Sequence, residues 1–404
     1  MTPWPLEAAR NRAPSTKDEP APGHPSVACV VQRSASVDVP SPVIIVSTAT
    51  FWSTQASEVS NDLEPADITA GKATRIRRMG QGDERMKPRT RRILLIAAGV
   101  LVGFSALVAY RFTAWRAELR ETLVANSKVM KTGLGDIEYA VVGEGMPFLS
   151  LHGTPGGYDV ALASRRANPS SVGVKTVTLS RPGYLRTPLS SGKTFEQQAD
   201  LVAALLDELH IDRTVVIASS GGGYAGLQFA LRHPSRCIGL VMIAPAMGYE
   251  ALPEGPPERN AFMLFVEDFS IWAVGDLSGK WFMKDFDEND PTQVSFVKDL
   301  ATIRVPASLR FEGRRNDLFQ RTDRAVDRWP LETITVPTLF IHGNADENSA
   351  YELSVQAAAR IPNAKLVTIE GGDHFMPITH ADKVRGAIGE FVGRLSTGNE
   401  TPTQ

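Results

Sequence analysis

The chain has 404 residues, enough for two ordinary domains of about 100–200 residues or for one large unit with tails. Lys and Arg number 43 against 45 Asp and Glu, with 43% hydrophobic and 22% charged residues. That average is globular and excludes a polyanion-coating nucleic-acid binder, a collagen-like chain and a wholly disordered one. The two cysteines, Cys29 and Cys237, exclude a disulfide-rich scaffold and a Cys-based zinc site.

Residues 1–92 hold ten of the 27 prolines, scattered Ser, Thr and Ala, and no sustained period of 2 or 3.6. Such a segment buries too little apolar surface to offset its ordering entropy and reads as a disordered, basic N-terminal region. Val43–Trp52 is an isolated apolar run within it. Ile93–Tyr110 then gives 18 residues without a charge, about the minimum that crosses a hydrocarbon core of roughly 30 Å. It reads as one transmembrane helix, followed by a linker over 111–126. In the twenty residues before it stand Arg75, Arg77, Arg78, Arg85, Lys87, Arg89, Arg91 and Arg92, against Arg111, Arg116, Arg120 and Lys128 after it. The positive-inside rule therefore places the N-terminus in the cytoplasm and everything beyond residue 110 outside it. Leu107 spoils a cleavage site after Ala109, so an uncleaved anchor is expected. Met86 opens a short basic stretch directly before the apolar run and is an alternative start. Gly99 and Gly103 form one G-x-x-x-G, a weak signal for helix pairing.

From about residue 127 the pattern becomes alternating short strands and helices, the mark of a mostly parallel α/β sheet. Strands are expected at Ile137–Val142, Phe148–Leu151, Val174–Leu179, Thr214–Ala218, Gly239–Ile243, Thr338–His342 and Lys365–Ile369. Thr194 and Gln197 make a capping box that opens a helix to about His210, and Ala381–Leu395 is an amphipathic closing helix. Met247–Thr335 has no place in the sheet.

The stretch Thr214–Arg232 is a β-branched strand, a turn of small residues and a helix. A serine on so tight a turn stands exposed at the sheet's rim, and the positions two before and two after it must be small. Ala218 and Gly222 satisfy that for Ser220, whereas Ile217 would clash if Ser219 were the nucleophile. A serine hydroxyl needs a base held by a carboxylate. Of the seven histidines, His374 stands in a glycine-containing loop after the last strand, and Asp346 follows the strand Thr338–His342. Those two are the expected base and its orienter. His152-Gly153 ends an earlier strand, so the N–H of Thr154 can act as one oxyanion donor and that of Gly221 as the other.

With these residues in place, the region from about 127 to 395 resembles the α/β-hydrolase fold superfamily. The order Ser220, Asp346, His374 is similar to that family's nucleophile, acid and base, and the His152-Gly153 turn, Arg181–Tyr184 (R-P-G-Y) and 229–234 (F-A-L-R-H-P) resemble its recurrent segments. The elbow departs from it, having A-x-S-x-G for G-x-S-x-G and Gly221 where a bulkier residue is usual. The resemblance implies an α/β-hydrolase fold, a mostly parallel central sheet flanked by helices. Its core would run over 127–246 and 336–396, with a helical cap inserted over 247–335 and a tail from 397. In the cap, Phe262, Phe265, Phe269 and Trp272 fall on one helix face, with Trp281, Phe282 and Phe286 nearby. They are expected either to dock the cap or to line an apolar acyl or alcohol pocket. Glu258, Glu267 and Asp268 could instead hold a substrate ammonium.

The implied chemistry is acyl transfer from an apolar small-molecule ester, without metal or organic cofactor. Oligomeric state is left open. Three rivals stay open beside it: a prolyl-type aminopeptidase, which shares the H-G-x-P-G-G turn, a lyase or cofactor-free oxidase, and a membrane-tethered binding protein that keeps the fold without turnover.

Overall fold

The computed structural model describes residues 87–167, 173–248, 258–282, 286–321 and 325–397. The chain divides at residue 84, and all described residues belong to the unit 85–404. The readings for residues 1–86, including Val43–Trp52 and Met86, lie outside the described residues, as does the tail beyond Thr397.

The first element, α1 (Pro88–Ala125), is 38 residues long. Proline at its start fits a helix N-terminus, where the missing N–H is no loss. The apolar run thus begins one turn inside the helix, and the segment expected as a linker, 111–126, is its helical continuation. Good helix formers from Arg111 to Ala125 explain the correction, since nothing there breaks the hydrogen-bond ladder. The first half differs sharply from a core helix: Ile96, Leu101, Val102 and Phe104 are each more than 60% exposed. This is one helix long and apolar enough to cross a membrane.

The remaining elements are β1 (Lys128–Thr132), β2 (Gly135–Val142), β3 (Met146–Leu151), α2 (Tyr158–Ala167), β4 (Val174–Leu179), α3 (Phe195–Glu208) and β5 (Thr214–Ser219). Then come α4 (Gly223–Arg232), β6 (Cys237–Ile243), the cap helices α5 (Ala261–Phe282), α6 (Pro291–Thr302), α7 (Phe311–Arg321) and α8 (Ala325–Arg328), then β7 (Thr338–Gly343), α9 (Tyr351–Arg360), β8 (Ala364–Ile369), α10 (Met376–Thr379) and α11 (Ala381–Thr397).

Eight strands form one sheet in the order β1-β2-β4-β3-β5-β6-β7-β8, with β1, β2 and β4 antiparallel neighbours and the rest parallel. Seven coincide with the expected strands. The eighth, β1, pairs with β2 through a short hairpin and was missed, because K-V-M-K-T is a half-exposed edge with few apolar residues. Strand alternation sorts the core onto two faces. Leu149, Leu151, Val216, Ala218, Leu240 and Met242 face the layer containing α3 and α4. Phe148, Val215, Val241, Ile243, Leu339 and Ile341 face α10 and α11. The Thr194 capping box forms as expected, Thr194 accepting from the Gln197 N–H.

The register fixes where loops emerge. Leu151 pairs with Ala218, Ile243 with Ile341 and Gly343 with Ile369, so β3, β5, β6, β7 and β8 end along one rim. In a parallel sheet that rim carries the loops able to meet a ligand.

Candidate active site

The elbow after β5 is strained at one residue. Ser220 has φ 48°, a left-handed backbone that a side chain normally avoids, and begins a single 3₁₀ turn leading into α4. The Ala246 N–H braces the turn by donating to the Ser220 carbonyl at 2.8 Å. Ala218 is fully buried, its methyl occupying the space a side chain on Gly226 would need. The extra methyl of A-x-S-x-G is thus accommodated by a glycine one turn into α4.

Ser220 Oγ lies 3.0 Å from His374 Nε2, and His374 Nδ1 lies 2.7 Å from Asp346 Oδ2. These three side chains come from the loops after β5, β7 and β8. Asp346 receives four donors: His374 and His342 at Oδ2, and the N–H groups of Asn348 and Ser349 at Oδ1. Burial pushes this carboxyl upward, but the hydrogen bonds from His342 and His374, the His374 charge and the Ser349 N–H outweigh it and hold Asp346 well below the usual carboxylate range. It stays ionised. His342 is a second imidazole on the acid that the sequence did not single out. Its Nε2 faces the two acceptors Asp346 Oδ2 and the Ser349 carbonyl, so it carries a proton there, and its Nδ1 lies 2.7 Å from Ser354 Oγ.

The turn after β3 reaches the same point. A methyl added to Gly153 would stand 2.9 Å from Ser220 Cβ, and one added to Gly221 would stand 3.2 Å from the Thr154 nitrogen and 2.3 Å from Thr154 Oγ1. The Thr154 and Gly221 amides are therefore neighbours beside the serine. The absence of a side chain at 221 also has a cause: Thr154 fills that space.

A buried polar cluster holds this turn from behind. Asp317 of α7 accepts from Thr154 Oγ1 (2.5 Å), from Tyr184 Oη (2.6 Å) and from both terminal nitrogens of Arg181 (2.8 and 2.5 Å). Arg181 also donates its backbone N–H to His152 Nε2 and its Nε–H to the His152 carbonyl. Burial alone would make Arg181 easier to deprotonate, but Asp317 more than compensates and raises its pKa. Burial, followed by the Arg181 and Arg310 charges, keeps His152 neutral, well below the usual imidazole range. Arg310 ties the other side of the turn, donating to the Gly156 carbonyl (2.8 Å) and to Asp159 (2.7 and 3.1 Å). The motif Arg181–Tyr184 was visible in the sequence. Asp317 and Arg310 were not, since an acid and an arginine among R-F-E-G-R-R-N-D read as solvated charges.

The aromatic face of the cap is placed elsewhere. Phe265, Phe269 and Trp272 pack around Phe112 of α1, at centroid distances of 5.2, 5.3 and 5.5 Å, and Phe262 is exposed. The stripe is thus the seat of α1 on the cap, which corrects its reading as a pocket lining. A cavity of about 470 Å³ lies between the loop Ala246–Gly248, the acid's loop at Asn348 and Ser349, and Asp327 of α8, and neither Ser220 nor His374 lines it. The cap acids are also committed: Glu267 pairs with Arg259 and Arg314, Glu258 with Arg315, and Asp268 with Arg116.

Comparison with known proteins agrees with this fold. Residues 148–387 match the model of the alpha/beta hydrolase family. A 2-hydroxy-6-oxononadienedioate/2-hydroxy-6-oxononatrienedioate hydrolase of Dechloromonas aromatica is 25% identical over 295 residues, covering 67% of this chain and 96% of its own. A putative non-heme chloroperoxidase of Synechocystis is 26% identical over 64% of this chain and 95% of its own. Among solved structures, an alpha/beta hydrolase fold protein from Nakamurella multipartita superposes with a TM-score of 0.55 at 29% identity, over 66% of this chain and 98% of its own.

Proposed function

The chain belongs to the α/β hydrolase family, and from that premise we propose that it is a membrane-tethered serine hydrolase cleaving carboxylic ester-type bonds through Ser220, His374 and Asp346. The observation that carries this reading is the unbroken relay from Ser220 Oγ through both ring nitrogens of His374 to Asp346. Ser220 Oγ attacks the ester carbonyl carbon while its proton passes to His374 Nε2. The carbonyl oxygen becomes an oxyanion facing the Thr154 and Gly221 N–H groups. Collapse breaks the bond to the alcohol, which leaves with the proton from His374. Water repeats the sequence, its proton going to His374 and its oxygen to the acyl carbon, and releases the acid and the free serine. Asp346 keeps the ring oriented and offsets its transient charge.

The prolyl-type aminopeptidase reading draws on the H-G-x-P-G-G turn but needs an acid for the substrate ammonium. Glu258, Glu267 and Asp268, the cap acids expected for that task, are paired with arginines. The apolar run of α1 supports a single-pass anchor, and the eight cations before it against four after it support a cytoplasmic N-terminus and an extracytoplasmic catalytic unit.

The test is fluorophosphonate labelling of the full chain, together with parallel assays on p-nitrophenyl esters and proline arylamides. Wild type should label and turn over the esters, and Ser220→Ala should do neither, with turnover down about 10⁶-fold. An unlabelled wild type that hydrolyses no ester would overturn the reading in favour of a binding protein.

A further inference from the structure

We infer that the outer face of cap helix α5 is a membrane-contact surface, resting in the headgroup region of the same bilayer that α1 crosses. This builds on the reading of α1 as a membrane span and goes beyond it, because a tether alone leaves the cap free in water.

The first observation is the composition of α5. A-F-M-L-F-V-E-D-F-S-I-W-A-V, its first fourteen residues, is apolar nearly all round. A helix of that kind belongs inside a protein or in lipid. One side is accounted for: Phe265, Phe269 and Trp272 surround Phe112, and Leu264 and Asp268 are buried against the rest of the cap. Among the described residues, nothing packs over the other side. Phe262 is 72% exposed, Met263 47%, Val266 42% and Val274 47%. Large side chains grouped on one helix face in this way mark an interaction site.

The second observation says what covers it. Phe112 stands two residues beyond Tyr110, the last residue of the apolar run, about 3 Å further along the helix. The headgroup zone extends roughly 5–8 Å beyond the hydrocarbon on each side, so Phe112, and with it the Phe265, Phe269 and Trp272 rings packed on it, lie at that zone. Phe262 is one turn of α5 from Phe265. Tyr110 and Trp115, the latter stacked on Phe112 at 6.0 Å, form the aromatic belt expected where a span leaves the lipid. Arg111 follows within the headgroup zone, at the level of the phosphates. Arg116 fastens the two helices by its ion pair with Asp268 at 2.9 Å and by its position over the Phe112 and Phe265 rings. The bilayer is therefore continuous from the exposed half of α1 to the exposed face of α5.

Depth measurement on the full chain tests this. A small fluorophore is attached at Phe262→Cys, at Leu101→Cys within the span, or at Glu208→Cys at the exposed end of α3, each in a Cys29→Ser background with buried Cys237 left in place. Protein is reconstituted in phosphatidylcholine–phosphatidylglycerol vesicles and quenched with brominated lipid or with aqueous iodide. Expected is strong lipid quenching at 101 and 262, at least about threefold above that at 208, with iodide quenching strong only at 208. Fluorophosphonate labelling of each variant reports that the fold is intact. Lipid quenching at 101 with iodide quenching at 262 would overturn the inference and leave the anchor standing. A site 262 shielded from both quenchers would overturn it in favour of a second copy of the chain. Failure of the chain to float with vesicles, with 101 open to iodide, would overturn the anchor and the inference together.

Discussion

At the rim of the sheet, Ser220, Asp346 and His374 each sit in a loop directly after a parallel strand, and nearby backbone braces the elbow at Ser220 and the acid at Asp346. In the cap, Asp317, Arg310 and Asp268 find partners on distant segments: the R-P-G-Y turn, α2 and α1. The rim is specified locally, by turn chemistry and strand register. The cap is specified by tertiary contact, and it still shapes the rim, because two of its side chains grip the turn that presents Thr154. On the proposed mechanism, one region supplies the reacting groups and the other holds the Thr154 turn beside them.

The sharpest way to break that division is at the rim. Asp346→Asn keeps the size of the orienter but offers His374 an amide in place of a carboxylate. Activity on an ester should fall by roughly 10⁴-fold while the fold persists. Because the folded-state pKa of Asp346 is depressed, its contribution to stability is fully present above the unfolded value of about 3.9 and is lost as pH falls below it. Wild type should therefore melt above Asp346→Asn at pH 7, with the gap closing as pH falls below about 4. Equal activity in the two proteins would remove Asp346 from the relay, and a gap that widens on acidification would contradict the direction of its pKa.

The same division explains what could be read from the sequence. The seven strands β2 to β8 and the elbow at Ser220 follow from period, β-branching and small-residue turns, all within a dozen neighbouring positions. His374 followed from elimination among seven histidines and its place after the last strand. His342 escaped because a histidine ending a strand carries no sign that it will face the acid four residues later. Asp317 escaped because its partners lie 133 to 163 residues earlier in the chain. The stripe Phe265, Phe269, Trp272 was legible as an apolar face, but what covers a face is not written in it, and Phe112 lies on a helix more than 150 positions away.

Asp317 offers the next largest effect and bears on the cap's share. Asp317→Ala leaves the Arg181 guanidinium buried without its carboxylate, a change that typically costs about 3–5 kcal/mol. Thermal unfolding should shift down accordingly. Ester turnover measured below the new melting point should fall mainly in kcat, because the Thr154 turn loses its anchor while the triad keeps its own bonds. Fluorophosphonate labelling should slow but persist. A variant as stable as wild type, or one that loses KM alone, would mean that Asp317 does not hold the oxyanion turn.

The smallest effect tests how closely rim and cap are fitted. Thr154 Oγ1 occupies the place of a side chain at 221, 2.3 Å from where a methyl would stand, and donates to Asp317 of the cap. Gly221→Ala should therefore push the Thr154 turn away from Ser220 and lower kcat, with a cost of about 1–3 kcal/mol for the overpacking. Thr154→Ala removes the hydroxyl but leaves both backbone donors in place, so its own effect should be smaller, limited to one lost bond to Asp317 at about 1 kcal/mol. In the double variant the new methyl enters the space the hydroxyl left, with the 154 Cβ at 3.1 Å as its neighbour. The two changes should then be non-additive, the double variant recovering about 1–2 kcal/mol relative to the sum of the singles in both melting temperature and turnover. Strict additivity would show that the two positions do not share that space, and that the glycine at 221 answers to something other than Thr154.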